Sequence, residues 1–398
     1  MQPFVFHNPT KVLFGPGVIS AIGKETRNWG QRALLVYGQN SARASGRLDQ
    51  IITLLREAGV DPIEHGGVRA NPRLEHVRQG IELAKTHRIE VIVGVGGGSA
   101  LDTAKAIAAG TMATHDVWKF FIGKKGVKTA LPVLTVPTVA ASGSEMNSGM
   151  VLTNESTREK LGFGHRLLFP KTSLLDPETT HSVPPMQTAC GAVDIFCHLL
   201  EFYLTASGAE TPIQDRFMEG LADTVISASR RCLVNPHDAA ARADLLWCAS
   251  LALSGLTTAG LGRVSLPIHL IEHSLSALYD IPHGAGMAVL LPGWLAEYAP
   301  AYCHRLASMA RGLLHCNDPD PHRAAEAVID HIRRWLLDLG LPRTLDDLGI
   351  PSDDLVRIAA HTTTQARTWR LRAHTPETVI RVLRRCIEPS SSPSACNR

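Results

Sequence analysis

Short apolar runs that leave no polar face constrain this chain more than any other feature. Ala33-Leu34-Leu35-Val36-Tyr37, Val91-Ile92-Val93-Gly94-Val95 and Leu131 to Val136 each read as a strand buried on both sides. Helix-spaced residues follow the first two. Leu48 to Leu55 is closed by Gly59, and a helix beginning near Ser99 carries Leu101, Ala104, Ile107 and Ala108. Strand and helix repeated in this order predict a parallel sheet with helices on both faces, whose ligands sit outside the carboxyl ends of the strands.

From about Pro185 the rhythm changes to long helical patterns, such as Phe217 to Ala228 and Ala240 to Leu251. The prolines of Val183-Pro184-Pro185 suit a boundary, because they interrupt helices and bias their predecessors toward extended backbone. The expected organisation is an α/β dinucleotide-binding domain over 1–184, an all-α metal- and substrate-binding domain over 185–388, and a disordered Ser- and Pro-rich tail over 389–398. A chain of 398 residues that is 44% hydrophobic and 19% charged can bury two cores. A formal charge of +3 supplies no global field for nucleic acid or an acidic membrane, so small molecules are the expected partners. The eight cysteines include no Cys-x-x-Cys pair, no basic segment with an apolar stretch behind it opens the chain, and no apolar run approaches the ~18 residues of a membrane span. These features favour a reducing cytoplasm.

Gly96-Gly97-Gly98-Ser99 lies where a strand gives way to a helix, so backbone can approach a pyrophosphate while helix amides point at it. Ser99, with Asp102 three residues on, reads as an N-cap followed by an acid in the first turn. A G-x-G-x-x-G fingerprint on the first strand is absent. A second turn, Thr135 to Glu145, offers several hydroxyls and small residues directly after a strand. After the first strand, Gly38-Gln39-Asn40-Ser41 lacks the carboxylate that would select a free ribose 2′-hydroxyl. Asn40, Ser41 and Arg43 could therefore serve a 2′-phosphate, which favours NADP(H) over NAD(H).

Asp194 and His198 stand four apart in a helical pattern, which stacks carboxylate and imidazole on one face. His269 and His273 form a second such pair, and His283 follows ten residues after His273. Several imidazoles among apolar neighbours need a metal or strong hydrogen bonds. Three nitrogens with one carboxylate suit Fe2+, or alternatively Zn2+, with a position open to a substrate oxygen. His-Glu-x-x-His is missing, so a zinc peptidase is not supported.

In this order, and with Asn8-Pro9-Thr10-Lys11-Val12-Leu13-Phe14-Gly15, Asn71-Pro72, Gly96 to Lys105, Asp176-Pro177, Ile213 to Phe217 and Leu290-Leu291-Pro292, the chain resembles the iron-containing (group III) alcohol dehydrogenases. Within them it is similar to the butanol dehydrogenase and broad aldehyde reductase branch. The resemblance implies that Asp194, His198, His269 and His283 ligate the metal, and that His273 is a non-ligand histidine beside nicotinamide and substrate. It further implies dinucleotide contacts at Gly38, Asn71, Gly97, Gly98, Ser99, Asp102, Thr138, Ser142 and Lys160, and a homodimer or larger homo-oligomer. One turn departs from the family, since Thr138-Val139-Ala140-Ala141-Ser142 replaces Thr-Thr-Ala-Gly-Thr while keeping the last hydroxyl.

The expected reaction is hydride transfer between nicotinamide and a short aldehyde or primary alcohol, with the metal polarising the carbonyl oxygen and His273 or a water relaying a proton. Arg263, Arg367, Arg370 and Arg372 raise the alternative of an anionic aldehyde, should they face the substrate. A dehydroquinate synthase-like lyase and a non-catalytic dinucleotide sensor are the competing readings.

Overall fold

The computed structural model describes residues 1–39, 41–208, 210–368, 371 and 374–388. Asn40, Arg370, Arg372 and the expected tail 389–398 lie outside the described residues. The chain divides into two compact units, one of His7–Pro184 with Asn235–Ser254, the other of Met1–Phe6, Pro185–Val234 and Gly255–Arg398.

The first unit carries a six-stranded parallel sheet: β1 (Lys11–Phe14), β2 (Arg32–Gly38), β3 (Asp61–Val68), β4 (Val91–Gly96), β5 (Val133–Pro137) and, after the antiparallel hairpin β6 (Gly149–Asn154) and β7 (Glu159–Gly164), β8 (Thr172–Leu175). Its order is β1-β8-β5-β4-β2-β3. The interleaved helices are α1 (Ile22–Arg27), α2 (Ser41–Ala44), α3 (Arg47–Glu57), α4 (Leu74–Thr86), α5 (Gly98–Thr111) and α6 (Trp118–Phe121).

The unbroken apolar runs become strands because their residues alternate between two cores. Ala33, Leu35, Val91, Val93, Val95, Leu134 and Val136 join Leu48, Ile51 and Leu55 of α3 on one face. Leu34, Val36, Ile92 and Val133 join Val77 and Ile81 of α4 and Ala104 and Ile107 of α5 on the other. At about 2 kcal/mol for each fully buried large aliphatic side chain, these two layers dominate the unit's stability. The chain leaves β2 toward β3 over one face and leaves β4 toward β5 over the other, which opens a switch point between β2 and β4. Gly38, at the end of β2, and the 96–99 turn after β4 sit at that switch point, where doubly wound sheets hold their ligands.

The second unit is helical, built on α7 (Pro185–Thr205) and α8 (Pro212–Val234). The next helix, α9 (Ala239–Ala252), returns to the sheet unit, and α10 (Pro267–Tyr279), α11 (His283–Leu314), α12 (Pro321–Asp338), α13 (Leu355–Thr368) and α14 (Pro376–Arg384) complete the helical one. α7 packs on α8 and α11, and α10 on α11 and α13. Phe196, Tyr203, Trp294 and Trp335 are fully buried among them, and the Trp335 indole donates to Ser229 Oγ at 3.0 Å. Among the described residues no helix is long and apolar enough to cross a membrane.

Two segments fall on the other side of the division expected at 184. α9 belongs to the sheet unit because Ser250 donates to the buried Glu145 carboxylate at 2.5 Å, and because Gly143 leaves room for the Ala249 carbonyl, which a Cβ would meet at 2.4 Å. Residues 1–6 belong to the helical unit, where the Gln2 amide donates to the Gly260 carbonyl at 2.9 Å.

Candidate functional site

In the helical unit, α7 places Asp194, His198 and Glu201 on one face, at spacings of four and three residues. All three are buried. α10 begins with Pro267, which presets the helical φ, and sets His269, Glu272, His273 and Ser276 along one face. Asp280 ends α10 with φ 51°, and His283 opens α11 three residues later.

These elements gather the side chains around Asp194 Oδ1. His269 Nε2 lies 3.2 Å from it, His283 Nε2 3.3 Å and His198 Nδ1 3.7 Å. The His198 and His269 rings stack with centroids 4.3 Å apart, and His273 meets His283 edge-on at 5.8 Å. Asp194, His198 and His269 offer ligand atoms within 4.8 Å of one another, while His273 groups with Glu272 and His283. His198 Nδ1 is buried without a hydrogen bond. A cation among these donors would satisfy that atom and Asp194 together, so an oxygen-and-imidazole set for Fe2+ or Zn2+ fits the residues present.

The electrostatics separate the two stacked histidines. Burial favours neutral imidazole in both. For His269, Glu201 and Asp194 at its two ring nitrogens outweigh burial and lift the pKa to about 10. For His198, burial prevails over Asp194, with His269 and His283 pushing the same way, and the value falls to about 3. Burial opposes ionisation of Asp194, but His198, His283 and His269 together hold its carboxyl well below the usual range.

Glu201 and Glu272 are the site residues that the spacing argument passed over. Both are fully buried; Glu201 Oε2 meets His269 Nδ1 and Glu272 Oε2 meets His283 Nδ1. A carboxylate one turn beyond an expected ligand in an otherwise apolar helix was the available sign.

In the sheet unit, Gly38, Gly96 and Thr138 stand at or just past the carboxyl ends of β2, β4 and β5. Gly96 adopts φ +148°, which side chains rarely tolerate, and a Cβ on Gly98 would stand 2.2 Å from Ser142 Oγ. The first amides of α5 thus open onto a turn without Cβ atoms, as a phosphate requires. Ser99 is not the N-cap: Gly97 holds that position in extended backbone, and the Ser99 hydroxyl donates to the Ala70 carbonyl instead. Asn71, buried next to Ala70, is brought beside this turn by that bond. Nor does Asp102 lie in the first helical turn. It is a buried anchor that accepts from Ser144 Oγ at 2.6 Å and Val151 N at 2.8 Å, tying the hydroxyl-rich turn to α5. Burial raises its pKa, against Lys105 and these two bonds. Lys160 is buried on β7.

Ser41 opens α2, with its side chain outside the described set. Arg43 pairs with Glu64, lies 3.8 Å from Asp49 and donates to Tyr37 Oη at 3.3 Å. Arg263 and Arg367 are exposed.

The family described as iron-containing alcohol dehydrogenase matches residues 9–177, and its Fe-containing C-terminal counterpart matches 188–387. The chain is 38% identical over 363 residues to NADH-dependent butanol dehydrogenase A of Clostridium acetobutylicum, covering 90% of this chain and 92% of that one. It is 32% identical over 358 residues to the NADPH-dependent aldehyde reductase of Escherichia coli (strain K12), covering 89% and 91%. The crystal structure of NADH-dependent butanol dehydrogenase A from Thermotoga maritima superposes with a TM-score of 0.93 at 37% identity, covering 98% of this chain and 99% of that one.

Proposed function

This chain belongs to the iron-containing alcohol dehydrogenase family, and from that premise we propose that it reduces short neutral aldehydes to primary alcohols with NADH. It is an enzyme, a metal-dependent, NAD(P)-linked oxidoreductase of alcohols and aldehydes. The observation that carries the proposal is the approach of two imidazole Nε2 atoms to Asp194 Oδ1, at 3.2 and 3.3 Å, each ring braced at Nδ1 by a buried carboxylate.

Asp194, His198, His269 and His283 would hold the divalent ion, and Gly97, Gly98, Ser99, Thr138, Ser142, Asn71 and Lys160 the dinucleotide. When bound, the ion supplies Lewis acidity toward a substrate oxygen and the nicotinamide supplies the hydride. Asp194 contributes the one anionic donor. Its pKa, held far below neutrality, keeps it unprotonated at any working pH. His273, buried one helical turn after His269 and against His283, supplies the proton that the product alcohol takes up.

Two features direct the specificity. Arg43, the described cation of the turn after β2, is already matched by Glu64 and Asp49, which removes the guanidinium expected for a 2′-phosphate and turns the preference toward NADH. Arg263 and Arg367 are exposed whereas Asp194 is buried, so these two arginines give no reason for an anionic substrate. Family membership leaves the lyase and sensor readings without support.

The test supplies metal-loaded protein with NADH or NADPH and with neutral or anionic short aldehydes, and repeats the assay with His269→Ala. The expected result is turnover of neutral aldehydes with NADH preferred, lost in the variant. Equal activity in variant and wild type sinks the ligand assignment, and a preference for NADPH sinks the cofactor reading.

A further inference from the structure

The two buried carboxylates do different work. Glu201 reaches across from α7 to the start of α10, where its Oε1 accepts from Ile268 N at 2.5 Å and His269 N at 3.3 Å. Leu266, the N-cap of α10, offers no side-chain acceptor, so Glu201 caps that helix besides bracing His269. Glu272 has its two oxygens on side chains, Oε1 accepting from Ser276 Oγ and Oε2 facing His283 Nδ1. Gly286, in the first turn of α11, leaves the space: a Cβ there would stand 3.0 Å from Glu272 Cγ and 3.2 Å from Oε1. His283 needs such a tether. It is the first residue of its helix, follows a left-handed residue and a proline, and its side chain is 26% exposed against 4–6% for the other three around the site.

We propose that Glu272 is a positioning residue for His283, holding the proton on Nδ1 so that the Nε2 lone pair faces the ion site. The inference rests on the metal-site reading. A neutral imidazole carries one N–H and one lone pair, so a carboxylate on Nδ1 fixes which nitrogen can bind a metal and also fixes the ring plane. A glutamine at 272 can present its amide N–H to Nδ1, which would turn the lone pair away from the site.

The experiment titrates the full-length metal-free chain with Co2+ against a chromogenic chelator, with the Co2+ absorption bands and the metal-free melting temperature as further readouts. Glu272→Gln is expected to weaken Co2+ binding about 10- to 100-fold, to shift the absorption bands, and to leave metal-free melting unchanged. Affinity within about twofold of wild type overturns the proposal. So does a lowered metal-free melting temperature with unshifted bands, which marks a purely structural role. Two ions per chain, falling to one in Glu272→Gln, would make Glu272 a ligand and also overturn it. If that variant fails to fold, Ser276→Ala asks the same question, with about a fivefold loss expected for one hydrogen bond and no loss refuting. No aldehyde enters the titration, so failure of the dehydrogenase reading would show separately, as a metal-loaded protein inert in the aldehyde assay.

Discussion

Metal uptake at alkaline pH should release a proton that an ordinary histidine site would already have lost. In the metal-free site His269 holds its proton to about pH 10, whereas His198 stays neutral down to about pH 3. At pH 8.5 a histidine of ordinary pKa, near 6.5, is about 1% protonated, while one near 10 is about 97% protonated. An ion binding at that pH must displace the His269 proton, and its apparent affinity should still climb about tenfold between pH 7.5 and 8.5. Calorimetry in buffers of different ionisation enthalpy counts the protons directly. Glu201→Gln controls for a proton coming from bound water, since removing that carboxylate returns His269 toward the ordinary range and should abolish the extra release. Flat affinity above pH 7.5 with no proton released would refute the electrostatic account of the site. By linkage, the same proton stabilises the metal-free fold fully below pH 6.5, and that contribution is lost as the pH rises toward 10.

Gly98→Ala brings a Cβ within 2.2 Å of Ser142 Oγ and should weaken nicotinamide nucleotide binding at least about tenfold by fluorescence titration, the cost of displacing the turn proposed to cradle the phosphates. Unchanged nucleotide affinity in Gly98→Ala would mean that this turn does not hold the phosphates. In the sheet unit, His76 stacks on His65 at 4.1 Å and has a buried Nε2 without a hydrogen bond. Burial first, then His65, lowers its pKa to about 4, so its share of stability is present above pH 6.5 and lost as the pH falls toward 4. His76→Gln should flatten the decline of the melting temperature over that window; an unchanged slope would show that the pair is titrating elsewhere.

The sheet was legible because its central strands are apolar at every position, a pattern that only burial on both faces accommodates. The fate of α9 was not. Its helical period is plain, but the unit it joins depends on Ser250 meeting Glu145, residues separated by 105 positions. Ser99 and Asp102 misled for a related reason. Their spacing fits an N-cap and a first-turn acid, yet glycine takes the cap, and each side chain is claimed by a distant partner, Ala70 for one and Ser144 with Val151 for the other. Around Asp194 a helix converts spacing into proximity, so the pairs Asp194–His198 and His269–His273 could be placed without tertiary information. That Glu201 serves His269 rather than its own neighbour His198 is a contact between helices, which no spacing encodes.

The return of α9 to the sheet unit bears on synthesis at the ribosome. When the first 184 residues have emerged, every strand of the sheet is present, yet the Glu145 carboxyl still lacks the Ser250 hydroxyl and Gly143 still faces the space that the Ala249 carbonyl will fill. Domains generally fold as units, N-terminal first, during synthesis. Here the unit is complete only after α7 and α8 have followed, so the 143–145 turn stays uncovered by α9 while about 70 further residues are translated. A stalled chain ending before residue 235 should therefore be cut by protease within the 138–147 turn, and one long enough to bring residue 254 clear of the ribosome should resist.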